Sequence, residues 1–271
     1  MIEMQEEDRV RFTNQSSKGN QLKFLKNNIW YKSDYTGYEG LAEYVVSEFL
    51  KRSTLDSTEY VTYRTEEINY AGTRFLGCSS NNFLEEGAQI ITLERLYGNV
   101  TGDSLYKTVW GYSDVPAERL KFLVDAIEKI TNIDNFGKYL AKMLTIDGLF
   151  YNEDRHFHNI AVLMNPPEKF SLCPFFDQGA SLFADTRIDF PLDGYIYDFY
   201  DKVRAKTIAS NFDDQMDAAE KLYGETIKFS VSSHDIEEIV DADTLYSENV
   251  KKRVKDVLYH QKSRYGYLFD T

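Results

Sequence analysis

The sequence is poor in cysteine, proline, tryptophan and histidine, and it has no long apolar run. Cys78 and Cys173 are the only 2 cysteines. They form no metal-type pair, so a reduced, cytoplasmic setting is the expectation. No internal repeat, low-complexity tract or Pro/Ser-rich linker is present, and prolines number 5. No apolar stretch approaches the roughly 18–20 residues needed to cross a bilayer. The acidic first residues lack the apolar core of a Sec signal. Cations are also scarce: 31 Lys and Arg stand against 44 Asp and Glu, for a formal charge of −13. Such a body repels phosphate backbones and anionic lipid, so neither nucleic acid nor membrane is an expected partner.

What is present describes a globular chain. With 271 residues, 42% hydrophobic and 28% charged, it can bury a sizeable core as one large domain or two lobes. The texture changes near residue 95. Before it, residues 9–13, 22–25, 29–32, 60–63, 73–76 and 89–93 read as strands. Asn27 and Asn28 read as a hairpin turn, because Asn tolerates the left-handed region. One helix interrupts the strands. Tyr38, Leu41, Ala42, Val45, Val46, Phe49 and Leu50 fall on one helical face.

After residue 95, helical periodicity covers 117–131, 134–150, 211–223, 234–241 and 246–262. A β-like insertion at 160–164 and 170–173 turns through Asn165, Pro166 and Pro167. The expected fold class is therefore α+β. A β-rich N-lobe with one helix (1–95) precedes a larger helical C-lobe (96–271).

The densest polar constellation is 152–159. Asp154 and Asn159 stand 5 apart, and Asp177 follows Asn159 by 18. A hairpin between them would return Asp177 beside Asn159, where their oxygens suit Mg²⁺ on a polyphosphate. Asp154 is then placed to orient a hydroxyl and accept its proton. Read singly, each of these residues favours a cap or turn role; the set together, with an apolar hairpin between its parts, favours function. Lys32 ends a strand and Glu43 lies on the next helix, the pairing that fixes a phosphate-binding cation in kinases. Glu39 is the competing partner and reads as a solvated helix charge. Gly19, in the polar loop 16–23, permits close backbone approach to phosphate. An apolar strand at 90–93 leads into an interlobe connector.

Together these stretches resemble the HipA-like serine/threonine kinases, distant relatives of the protein-kinase and phosphatidylinositol-kinase folds. The S-x-x-G-x-Q-x-K pattern appears as Ser16, Gly19, Gln21 and Lys23. The catalytic-loop pattern appears as Asp154, His156 and Asn159. The metal Asp after a Pro-aromatic run appears as Asp177, and residues 43–51 resemble the αC segment. Glu94 and Leu96 fall in the adenine-contacting places. The likeness runs from residue 16 to 177 and is loose around 206–215.

The resemblance implies a two-lobed, protein-kinase-like fold and ATP- and Mg²⁺-dependent phosphoryl transfer to Ser or Thr of a protein substrate. Asp154, Lys32 and Glu43 are then the catalytic set. Ser16, Gly19, Gln21, Lys23, Lys32, Glu94, Leu96 and His156 are the nucleotide-binding set, and Asn159 and Asp177 hold metal. It further implies autophosphorylation at Ser16, with Ser17 beside it. Two departures stand out. His158 occupies the place of a lysine before the metal Asn, which implies either weak activity or Arg155 as the substitute cation. The family's N-terminal subdomain has no counterpart, so a minimal core is expected, and an antitoxin-type partner does not follow. The rival readings are a pseudokinase, and a metallohydrolase built on His156 and His158.

Overall fold

The computed structural model describes residues 1–11, 21–167 and 169–270. Ser16, Ser17 and Gly19 lie outside the described residues. In chain order the strands and helices are β1 (Ile2–Met4), β2 (Lys23–Lys26), β3 (Ile29–Ser33), α1 (Glu39–Leu50), β4 (Arg64–Tyr70), β5 (Thr73–Asn81), β6 (Gln89–Thr92), α2 (Leu93–Thr101), α3 (Leu105–Tyr112), α4 (Pro116–Thr131), α5 (Phe136–Phe150), β7 (Ala161–Asn165), β8 (Lys169–Leu172), α6 (Ile196–Lys202), α7 (Phe212–Tyr223), α8 (Ser233–Asp241) and α9 (Glu248–Arg264). The chain forms two compact units, each drawn from separate stretches. The first comprises 1–83, 176–203 and 228–271; the second comprises 84–175 and 204–227.

The first unit holds a five-stranded sheet of order β1-β4-β5-β3-β2. The β2–β3 hairpin turns at Asn27 and Asn28, with φ of 52° and 61°, as the Asn pair predicts. Alternation sends Phe24 and Tyr31 to one face, where they pack with Met4 and Ile68. Lys23 and Lys32 face each other in register and therefore share the opposite face.

Helix α1 approaches the sheet closely because two glycines meet. A Cβ on Gly40 would lie 2.4–2.7 Å from the backbone of Gly77 in β5. Gly40→Ala must push the helix away and is expected to cost about 1–3 kcal/mol, the usual range for overpacking. A denaturant midpoint unchanged from wild type would contradict this.

The start of α1 is braced by two carboxylates. Glu39 accepts from the N–H and hydroxyl of Thr36 (2.7 and 2.8 Å) and from the Gly37 N–H (3.0 Å). It is buried, so the sequence expectation of a solvated charge is corrected. A carboxylate at a helix start meets unpaired N–H groups, and these hold it inside. Asp34 accepts from the Gly40 N–H and the Tyr246 hydroxyl, each at 2.7 Å.

Burial, then nearby Glu39, pushes the Asp34 carboxyl up to about 7, against the pull of those two donors. A raised folded pKa gives stability that is complete below the unfolded value of ~3.9 and is lost as pH rises through the folded one. The stability of wild type relative to Asp34→Asn should therefore fall from pH ~4 to ~7, by at most about 1.4 kcal/mol per unit. Urea midpoints across that range check it; parallel pH profiles would refute it.

In the second unit, β6, β7 and β8 form an antiparallel sheet of order β6-β7-β8, so the expected hairpin at 160–173 is present. Helix α5 is buried along almost its whole length. It ends at Tyr151, whose φ is 55°, and delivers the 152–159 loop.

Three local expectations differ from the structure. Residues 60–63 precede a strand and do not form it: β4 begins at Arg64 and was hidden by its polar sequence. The strand at 89–93 stops at Thr92, whose side chain caps α2 by accepting from the Arg95 N–H at 3.3 Å. Of the strand read at 9–13, Arg9 makes an isolated bridge to Phe24, and 12 and 13 lie outside the described residues.

Candidate functional site

In the first unit, Lys32, Glu43 and Asp177 meet. The Lys32 Nζ donates to Glu43 Oε1 and to Asp177 Oδ1, both at 2.7 Å. Local structure explains the meeting. Lys32 points off β3, and the Gly40–Gly77 contact sets α1 so that Glu43, one turn on, reaches it. Phe176 packs against Val61, Tyr63, Cys78 and Phe83 and anchors the segment that carries Asp177. Asp177 has a φ of 62°, a left-handed conformation that Asp tolerates better than most residues. The next residue, Gln178, donates its N–H to Glu43 Oε2 at 2.7 Å, so both Glu43 oxygens are engaged.

The burial of the three side chains is graded. Glu43 is 2% exposed, Lys32 13% and Asp177 29%. Burial by itself would lower the Lys32 pKa, but Asp177 and Glu43 reverse this and hold it well above the usual value. Burial raises the Glu43 pKa, with Lys32 the chief opposing influence. The Tyr63 ring lies 5.4 Å from the Lys32 ammonium, and burial lifts its hydroxyl well above the ordinary range. The cluster is thus a fixed ammonium on a buried carboxylate, with a second, more accessible carboxylate beside it.

Lys23 stands across the hairpin from Lys32 on the same face. Like charges placed opposite each other disfavour the pairing unless an anion lies between them. Gln21 lies two residues before β2.

In the second unit, Asp154 and Asn159 are joined directly. Asn159 Nδ2 donates to the Asp154 backbone carbonyl at 2.8 Å and to Asp154 Oδ2 at 3.1 Å. His156 Nε2 and Lys206 Nζ lie 3.7 and 3.6 Å from Asp154 Oδ1. Burial lowers the His156 pKa, and Asp154 opposes it. The His156 and His158 rings meet edge to face, centroids 5.7 Å apart.

The loop hangs on a buried ion pair that sequence reading missed. Arg155 Nε reaches both oxygens of Asp147 at 3.2 and 3.1 Å, and Arg155 Nη1 donates to the Asn159 carbonyl at 2.9 Å. Asn152 Nδ2 donates to Asp147 Oδ1 at 3.0 Å. Burial raises the Asp147 pKa, and Arg155 is the main influence pulling it back. The available signal was a lone carboxylate in the apolar run 144–150. Arg155 is 2% exposed. It braces the loop, which corrects the expectation that it substitutes for the lysine missing at His158.

Glu94 and Leu96 lie in the first turn of α2. The N–H groups of Leu93 and Glu94 donate to the carbonyls of Ile160 and Phe157 at 2.8 and 3.1 Å. The Glu94 carboxylate accepts from the Tyr106 N–H at 2.9 Å, and Leu96 is buried. The connector is therefore helical here, its first donors tied to the loop that carries Asp154.

Each unit carries an oxygen donor of the kind a hard cation takes. Asn159 commits its Nδ2 to Asp154, leaving Oδ1 as the amide atom able to meet a metal. Asp177 offers a partly exposed carboxylate. These are the oxygen types that Mg²⁺ accepts together with phosphate. Among the described residues, no group of three or more His, Cys, Asp or Glu side chains is arranged to hold a metal ion. The metallohydrolase reading thus gains no ligand set. No helix among them is long and apolar enough to cross a membrane.

No family model matches the chain, and no curated protein sequence matches it. Among solved structures it is similar to the crystal structure of the proinflammatory kinase CtkA of Helicobacter pylori. The TM-score is 0.66 at 17% identity, over 97% of this chain and 95% of that one. It also matches HipA of Shewanella oneidensis MR-1, solved with HipB and operator DNA. There the TM-score is 0.45 at 14% identity, over 96% of this chain and 64% of that one. The CtkA likeness establishes the fold: α+β, two-lobed and kinase-like, as expected from the sequence.

Proposed function

We propose that this chain is an ATP- and Mg²⁺-dependent serine/threonine protein kinase of the HipA-like type. The observation that carries the reading is the Lys32–Glu43–Asp177 cluster. A buried strand lysine held by a helix glutamate is a costly arrangement for structure alone, because two charges must be desolvated. It is the arrangement that positions a cation for phosphate in kinases. Bound Mg²⁺·ATP supplies the phosphoryl group and the divalent charge that offsets it.

This chain's residues do the rest. Lys32 binds phosphate oxygens while Glu43 keeps the ammonium in place. Asp154 accepts the proton of the attacking hydroxyl, and Asn159 fixes the orientation of that carboxylate. Asn159 and Asp177 are the residues assigned to the metal. Ser16, Gly19, Gln21 and Lys23 are assigned to the phosphate loop, Glu94 and Leu96 to the adenine edge, and His156 to the brace beside Asp154. The reading includes autophosphorylation at Ser16 or Ser17, a protein substrate, lobes of 1–95 and 96–271, and a cytoplasmic setting.

Calorimetric titration with ATP tests the nucleotide site. Wild type should bind ATP at least tenfold more tightly with Mg²⁺ than with EDTA, and Asp177→Asn should lose most of that gain. Equal affinity with and without metal would overturn the assignment.

A further inference from the structure

The geometry points to Lys206 as the cation that meets the phosphoryl group during transfer, the place left open by His158. This rests on the phosphoryl-transfer reading above. Three side chains are candidates for that charge. Arg155 is excluded because its guanidinium is buried against Asp147 and the Asn159 carbonyl. His158 is exposed and lies edge to face with His156. Lys206 is 45% exposed, and its Nζ lies 3.6 Å from Asp154 Oδ1.

The surroundings of Lys206 are built. Thr207, fully buried, donates its hydroxyl to the Arg155 carbonyl at 2.6 Å. The Ala205 N–H donates to the Ser210 carbonyl at 3.2 Å, and the Ile208 carbonyl accepts from Arg119 at 3.1 Å. Ala205, Thr207, Ile208 and Ala209 are all buried, and Lys206 alone in 205–209 is exposed. The stretch is therefore pinned to the 152–159 loop, with one lysine emerging beside Asp154.

The separation is informative too. At 3.6 Å the pair is an ion pair and not a short hydrogen bond, so the ammonium retains donors for another acceptor. As a surface pair alone it would contribute little to stability.

The substrate hydroxyl oxygen forms a bond to the γ-phosphorus, and the bond from that phosphorus to the β,γ-bridging oxygen breaks. The hydroxyl proton passes to Asp154, and ADP leaves with the bond's electron pair. Negative charge spreads over the equatorial oxygens during transfer, and a fixed cation there stabilises it.

The test compares Lys206→Met, Lys206→Arg and the double variant Lys206→Met/His158→Lys with wild type. Lys206→Met keeps the aliphatic stem, so folding is preserved. Its kcat should fall about 100-fold with the KM for ATP within threefold. The double variant, with a lysine restored before Asn159, should recover at least tenfold of that loss. A second readout needs no turnover. Wild type should bind ADP with Mg²⁺ and aluminium fluoride more tightly than ADP with Mg²⁺ alone. Lys206→Met should lose at least tenfold of that difference while keeping its ADP affinity. Wild-type transfer with Lys206→Met within threefold of it overturns this role and leaves the kinase reading standing. Absence of both transfer and fluoride-dependent tightening in wild type overturns the kinase reading and this role with it.

Discussion

Arg155→Ala is expected to destabilise the protein by about 3–5 kcal/mol, the cost of leaving a buried partner charge unpaired. Asp147 lies at the end of α5 with no exposed surface, and the guanidinium is its principal compensation. The loss is structural first and functional second, because the Arg155 guanidinium also donates to the Asn159 carbonyl. The sharper version is a double-mutant cycle. Replacing both charges, Asp147→Leu with Arg155→Met, removes the unpaired ion and should recover most of the lost stability. Transfer activity should stay low in that variant, since the loop has lost its brace. Urea unfolding measures the first quantity. A single variant within about 1 kcal/mol of wild type would contradict the account of the loop.

The second large effect belongs to Lys32. Lys32→Met is expected to lower phosphoryl transfer by roughly 10²–10³-fold, the range for removing one preorganised group from a charge-stabilising site. The fold should survive, because Glu43 can respond by taking up a proton. Burial already pushes its pKa up, and Lys32 is the chief influence holding it down. Glu43→Gln should cost less, since the Asp177 contact to Lys32 remains. Initial rates for the two variants check the order. A Lys32→Met variant as active as wild type would remove the observation on which the functional reading stands.

Much of this arrangement was legible in the chain, for identifiable reasons. The face of α1 repeats apolar residues at helical spacing, and the Asn pair marks the β2–β3 turn, so strand, helix and the Lys32–Glu43 neighbourhood could be read in order. The fold-level likeness to CtkA agrees with the α+β, kinase-like expectation. The misses share one cause: each depends on what a polar group meets in three dimensions. Strand β4 carries Glu66, Glu67 and Asn69 and buries Ile68 alone among its residues, so neither alternation nor apolar content marks it. Glu39 reads as a surface charge until the N–H groups of 36 and 37 are seen to converge on it. Asp147 and Arg155 are close in sequence, yet only burial turns them into a structural pair. Lys206 lies 52 residues beyond Asp154, and no local pattern joins them.

The measurement closest to the central claim is transfer of label from γ-labelled ATP in the presence of Mg²⁺, wild type beside Asp154→Ala. Wild type should label itself or a protein in a lysate. Asp154→Ala should fall by roughly 10²–10⁴-fold, the range for a lost general base, while still binding ATP. Mass spectrometry of the self-labelled protein should place phosphate on Ser16 or Ser17. A wild-type protein that binds Mg²⁺·ATP and transfers no label to itself or to any lysate protein would contradict the account.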